Sequence, residues 1–170
     1  MLATLLAFAS CQREKVAGAD VYCDSVVCLQ NGVVLQMDSF LQSMHYVKYD
    51  TKEFYDKAWN KNEETVLKMK ELGGYKGNAS LQKASLQVLS VVQHVLETEA
   101  VQMVALDSLL LQNYDKAKVD VLDSLQNEAI VKIVRAVEEF DSCQMIFLND
   151  FGFDVEFDDE EPIGKEEEKQ

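Results

Sequence analysis

The chain contains a single proline, Pro162, so residues 1–161 lack the residue that most strongly breaks a helix. Glycine is scarce too. Of seven, Gly73, Gly74 and Gly77 cluster mid-chain, Gly18, Gly152 and Gly164 lie toward the ends, and Gly32 alone interrupts a periodic apolar stretch. These absences argue against a fold of many short elements and point to long helices with few joints. Histidine occurs only as His45, near a helix end, and His94, whose glutamate follows it as His94-x-x-Glu97, so the two Glu-x-x-His pairs of a di-iron bundle are missing. Sixteen basic residues against thirty acidic ones leave a net charge of −14, the wrong sign for covering nucleic-acid phosphates. There is no haem attachment motif, the Cys23 and Cys28 spacing does not suit zinc, and no glycine loop follows a strand-like run. Cys143 and His94, the one nominal thiol–imidazole couple, would lie about 16 Å apart in level, counted from the Asn113 turn. No catalytic, cofactor or metal constellation is therefore expected.

What is present suits one domain. The 170 residues are 48 % apolar and 27 % charged, ordinary globular values with enough length for a sizeable core. Half of the charge is local: residues 154–170 hold nine acids and two lysines, a net −7. Such a block reads as a solvated, disordered acidic tail over 151–170. Calcium binding would need a spaced D-x-D-x-D-G loop, which is absent.

At the other end, Leu2-Ala3-Thr4-Leu5-Leu6-Ala7-Phe8-Ala9 is apolar but too short to span a bilayer. It closes on Phe8-Ala9-Ser10-Cys11 and gives way at once to Gln12-Arg13-Glu14-Lys15. An apolar run, small residues and then cysteine is similar to the lipobox of bacterial lipoproteins, with Phe8 where leucine is usual. The resemblance implies a signal remnant over 1–10, lipidation of Cys11, a tether over 11–19 and attachment to a membrane of the cell envelope. An apolar N-terminus on a cytoplasmic protein is the competing reading.

Between these ends, residues 20–150 read as an antiparallel, up-and-down four-helix bundle. Cys23, Val26, Val33, Met37, Phe40 and Met44 recur at three/four spacing and give a first helix over about 20–46. Asp50-Thr51-Lys52-Glu53 is a capping-box variant, so a second helix starts at Thr51 and ends near Leu72. Its stretch Asn60-Lys61-Asn62-Glu63-Glu64-Thr65 has no apolar side chain and is the weakest part of the bundle. Gly73-Gly74-Tyr75-Lys76-Gly77-Asn78 is the clearest loop. A third helix follows to about Gln112 through Leu81, Ala84, Val88, Val91, Val95, Ala105 and Leu109. Asn113-Tyr114-Asp115 turns the chain, and the fourth helix runs to about Asn149 through Leu122, Ala129, Ile133, Ala136, Phe140 and Phe147. Short joints make consecutive helices antiparallel neighbours. At ~1.5 Å per residue the third and fourth helices outreach the second by roughly 15 Å or more. That predicts either a groove among helices one, three and four, or a loop folded over the gap.

Two finer expectations follow from levels along the bundle. Asn62, Gln102 and Gln126 interrupt apolar seams at similar heights and form a candidate polar core layer; three amides turned to solvent is the alternative. Cys23 and Cys28 stand about 140° apart around one helix, whereas Cys23 and Cys143 differ in level by only about 4–5 Å. A Cys23–Cys143 disulfide is therefore expected in an oxidising compartment, with three free thiols as the alternative.

The chain resembles a family of small bacterial surface lipoproteins, of spirochaete and Bacteroidota type, built as four-helix bundles. The likeness rests on Gln30-Asn31-Gly32-Val33-Val34, on Lys70-Glu71-Leu72-Gly73-Gly74-Tyr75-Lys76-Gly77-Asn78 and on Val95-Leu96-Glu97-Thr98-Glu99. It implies fold and compartment but carries no activity. The expected function is a non-enzymatic envelope lipoprotein acting as an interaction or structural module, with a protein partner and no nucleic acid. The alternative is a carrier of a small ligand or metal in the bundle interior or groove.

Overall fold

The computed structural model describes the backbone of residues 2–44 and 50–153 and the side chains from residue 18 onward. Four helical rods and no strand make up these residues. The first, α1 (Leu2–Ser43), begins well before the expected position 20. The second, α2 (Thr51–Leu72), has the expected bounds, because Asp50 accepts from the backbone N–H groups of Lys52 and Glu53. An N-cap of this kind satisfies donors that have no helical partner. Glu53 pairs with Lys57 one turn on, at 2.6 Å. The third rod consists of α3 (Ser80–Val95), a π-helical turn over Leu96–Ala100, and α4 (Val101–Gln112). Asp115 caps the last rod, α5 (Lys116–Asp150), accepting from Ala117 N–H at 3.0 Å. At its other end Gly152 (φ 86°) closes the helix, with its N–H on Asn149 O and that of Phe153 on Leu148 O. A positive φ costs glycine little, which is why it suits this C-terminal stop.

Side-chain contacts set the rod directions. Tyr22 near the start of the described side chains of α1 meets Phe147 near the end of α5, at 5.6 Å between rings. At the opposite end Gln126 of α5 reaches Leu41 O of α1. Asn62 and Gln93 pair α2 with α3, and Lys132 and Glu99 pair α5 with the π turn. Each of these pairs is antiparallel. The seam between them is apolar: Val26, Val33, Met37 and Phe40 from α1 pack with Met69, Leu81, Val88, Leu89, Ile133 and Phe140 in one cluster.

The π turn changes the register of the third rod. Val88 and Val95 are buried before it, Leu96 within it and Met103 after it, with Leu110 partly so. One extra residue per turn rotates everything downstream by about 100°. Ala105 and Leu109, expected on the seam, are therefore exposed.

The far end of the bundle is closed, so the gap anticipated beyond α2 is covered by the loop that follows it. Tyr75 of that loop packs on Tyr22, Phe147 and Phe151 at 5.4, 6.2 and 5.1 Å. It also lies over Gly18, where any Cβ would come within 2.6 Å of its hydroxyl oxygen. The Tyr22 hydroxyl donates to Gly73 O at 2.7 Å. That bond is one of a set, since neighbouring helices cap one another's terminal carbonyls. Gln82 of α3 donates to Met69 O of α2, and Gln126 of α5 to Leu41 O of α1. The last four carbonyls of a helix have no partner within it, so these amides satisfy acceptors that would otherwise be orphaned.

Candidate functional site

The polar stretch of α2 borders a cleft between α2 and α3. In that stretch the helix turns Asn62 and Thr65 to the inside, fully buried, and leaves Glu63 and Glu64 in water. Asn62, Val66, Leu67 and Lys70 face Leu86, Leu89, Ser90 and Gln93 of α3 across a space of 640 Å³. This volume falls within the range of small-molecule sites, roughly 300–1,000 Å³. Val66, Leu67, Leu86 and Leu89 make the lining largely aliphatic, and Asn62, Gln93, Ser90, Glu63 and Lys70 supply its polar part. Asn62 Nδ2 donates to Gln93 Oε1 at 2.9 Å, while Asn62 Oδ1 is buried without a partner. A smaller furrow of 140 Å³ runs between α1 and α5, past Met37, Leu41 and Ile133.

The π turn holds the second polar constellation. Glu99 is buried there and accepts from Lys132 Nζ of α5 at 2.6 Å; Lys132 also reaches Glu128 at 2.8 Å. The Thr98 hydroxyl lies 2.6 Å from Glu99 Oε2 and 2.7 Å from His94 O, and the Tyr55 hydroxyl donates to Leu96 O at 3.4 Å. Burial alone would raise the Glu99 carboxyl. The hydrogen bonds from Lys132 and Thr98 and the nearby ammonium outweigh it and hold the group below its usual range. Hydrogen bonds that Lys132 donates to Glu128 and Glu99 push its ammonium up. Both groups are displaced away from neutrality, so neither is poised to exchange protons near pH 7. The pair acts as an electrostatic tie between α5 and the π turn. Periodicity does not announce it, but two adjacent buried pairs, Val95-Leu96 and Glu99-Ala100, mark where a regular helix would have to slip.

The sequence-predicted residues separate. Asn62, Gln102 and Gln126 do not form a layer: Asn62 turns to Gln93, Gln102 is exposed on its own helix with Thr98 O, and Gln126 caps α1. The register change at the π turn rotates Gln102 outward. The Cys23–Cys143 disulfide is absent, and Cys23, Cys28 and Cys143 are all free thiols. The level was read correctly but the rotation was not, because Gln144 is the residue that meets Cys23, with Nε2 3.4 Å from Sγ. Burial, chiefly, pushes the Cys23 thiol up. The Cys11 side chain, His45 and residues 154–170 lie outside the described residues. His94 is exposed, and no group of three or more His, Cys, Asp or Glu is placed to hold a metal among the described residues. No described helix is long and apolar enough to cross a membrane. No protein-family model, curated protein or solved structure matches this chain.

Proposed function

We propose that the chain is a non-enzymatic lipoprotein of the cell envelope, tethered through Cys11, and that its up-and-down bundle, with a solvated acidic tail, docks a protein partner. The sequence Phe8-Ala9-Ser10-Cys11 after an apolar run supports the tether. The observation that carries the docking reading is α4. Its Val101, Met103, Val104, Leu106, Leu109, Leu110 and Leu111 point in every direction, yet Met103 alone is buried. Helices apolar on all sides are ordinarily covered on all sides. Here Val101, Leu109 and Leu111 stay about half exposed, and Tyr114 of the following turn and Val121 of α5 are exposed as well. The Leu111–Tyr114 end of this surface lies opposite Phe147 and Gly18, about 45–50 Å away at helical rise. A tethered molecule would thus present it away from the membrane.

Charge narrows the partner. A second copy would bring another −14 to the contact, so self-association is opposed. The partner that fits has an apolar helical face rimmed by lysine and arginine. A photo-crosslinking residue at Leu111, in the native cell, should give one discrete adduct with such a protein. Leu109→Asp should abolish the adduct, and raising the salt should weaken it. An adduct with a second copy, or none above background, would reject this reading.

A further inference from the structure

We infer that the α2–α3 cleft binds a medium-chain fatty acid, with its carboxylate at Lys70 and Lys83 and its chain on Val66, Leu67, Leu86 and Leu89. The arrangement of charge along the cleft carries the inference. Lys52, Lys57 and Lys68 of α2 each pair with a carboxylate four residues away. Lys70, which lines the cleft, has Val66 and Gly74 at those positions instead. Lys83 of α3 has Ala79 and Gln87. Both lysines are exposed, and neither enters an ion pair among the described residues. Gln82 Nε2 donates to Met69 O at 2.9 Å, so Lys83 stands at nearly the level of Lys70. It heads the row that continues through Leu86 and Ser90 of the cleft wall, three and seven residues on. Two unpaired cations from different helices thus mark one end of the cleft.

The remaining groups orient the ligand. Glu63 lines the opposite end of the cleft, about 10 Å from Lys70 at helical rise, and stays exposed. It repels a carboxylate there and so fixes which way the molecule lies. The chain is strongly acidic as a whole, yet residues 72–96 contain no acid. Glu71 is turned about 100° around α2 from Lys70, and Glu64 is held by Lys68. Lys76 of the loop adds a further positive charge, over the Tyr75 ring at 5.2 Å. The amides of Asn62 and Gln93 are engaged with each other, and Gln93 with Glu97, so they do not choose the head group. Between the charged ends the lining is aliphatic, and Leu67 is 61 % exposed. A chain of about eight carbons covers the roughly 10 Å between those ends, and the 640 Å³ space admits it. This inference does not rest on docking at α4, since the cleft lies between other helices.

The test compares octanoate, 1-octanol and octylammonium at pH 7, which share a chain and differ in the charge of the head. Each is titrated into the full chain and followed by backbone amide chemical shifts. Binding of octanoate should saturate, with shifts centred on Val66, Lys70, Leu86 and Leu89. It should be about fivefold tighter than that of the alcohol, the worth of two exposed ammonium groups, with octylammonium weakest. Added salt should narrow these gaps. Lys70→Glu and Lys83→Glu, both at exposed positions, should each remove the preference for octanoate and leave the melting temperature unchanged. Ser90→Trp, exposed on the cleft wall, should weaken all three probes about tenfold or more, again without a change in melting temperature, which separates a filled site from a failed fold. An alcohol or amine that binds as tightly as octanoate, a preference that survives both lysine reversals, shifts centred elsewhere, or no saturable binding would overturn the inference.

Discussion

Phe147→Ala should destabilise the protein by about 3–5 kcal/mol. The side chain is fully buried where the start of the described α1 side chains, the α2–α3 loop and the end of α5 converge. Burying an aromatic ring removes roughly 150–250 Å² from water. At about 25 cal/mol per Å², and after leaving the alanine methyl in place, that gives about 2.5–4 kcal/mol. Three ring contacts are lost as well, to Tyr22, Tyr75 and Phe151 at 5.6, 6.2 and 4.8 Å. Each contributes about 0.5–1.5 kcal/mol in isolation. They share one ring and do not add, so the observed range for such truncations is the better guide. For a chain of this length the melting temperature should fall by roughly 8–15 °C. Circular dichroism at 222 nm, with urea melts checked for an unchanged slope, measures it. Amide exchange at the Tyr75 loop should quicken in the same variant, since Phe147 is part of its floor. A fall of less than about 3 °C would mean that the aromatic end is not a packed cap, and the account of the closed far end would be wrong.

Other outcomes follow from single contacts. Gln126→Leu should cost about 1–2 kcal/mol, because it strands Leu41 O at a helix end, whereas Gln102→Leu should stay within about 0.5 kcal/mol; equal effects in urea melts would revive a shared polar layer. The folded Glu99 carboxyl lies below its ordinary range. Its stabilisation is thus complete above the unfolded value of about 4.3 and drains as the pH falls through the folded one. Glu99→Gln should flatten that acid limb of the urea midpoint, and an unaltered limb would contradict the tie to Lys132. Exposed Cys28 should react with a thiol reagent first and buried Cys23 last in native protein, with three thiols titrating among Cys23, Cys28 and Cys143 after unfolding; a missing pair would restore the disulfide.

The elements were legible because their signals are local. Asp50 before Thr51, the glycines after Leu72, and Asp115 before Lys116 each satisfy or end a helix through neighbouring atoms, and the helices start and stop there. Levels along the rods were legible for the same reason, since helical rise is constant; Cys23 does meet α5 within one residue of Cys143. Rotation was not. One inserted residue at Leu96–Ala100 leaves the level of Gln102 almost unchanged but turns it to solvent, and no local rule fixes where that slip occurs. Amide partners were equally hidden. Whether Gln126 joins a core layer or caps α1 depends on which carbonyl the packed neighbour presents, a tertiary fact. The stretch lacking apolar residues in α2 was noticed as a weakness. Its Asn62 and Thr65 are instead buried, and Asn62 borders a cleft that only the approach of α3 creates.

The most direct test of an envelope-tethered module is the chemical state of the N-terminus in protein taken from its native cell. Intact-mass and peptide mass spectrometry of the membrane fraction should find residues 1–10 removed and the mature chain beginning at an acylated Cys11. A soluble chain that still carries residues 1–10 and an unmodified Cys11 would contradict the account.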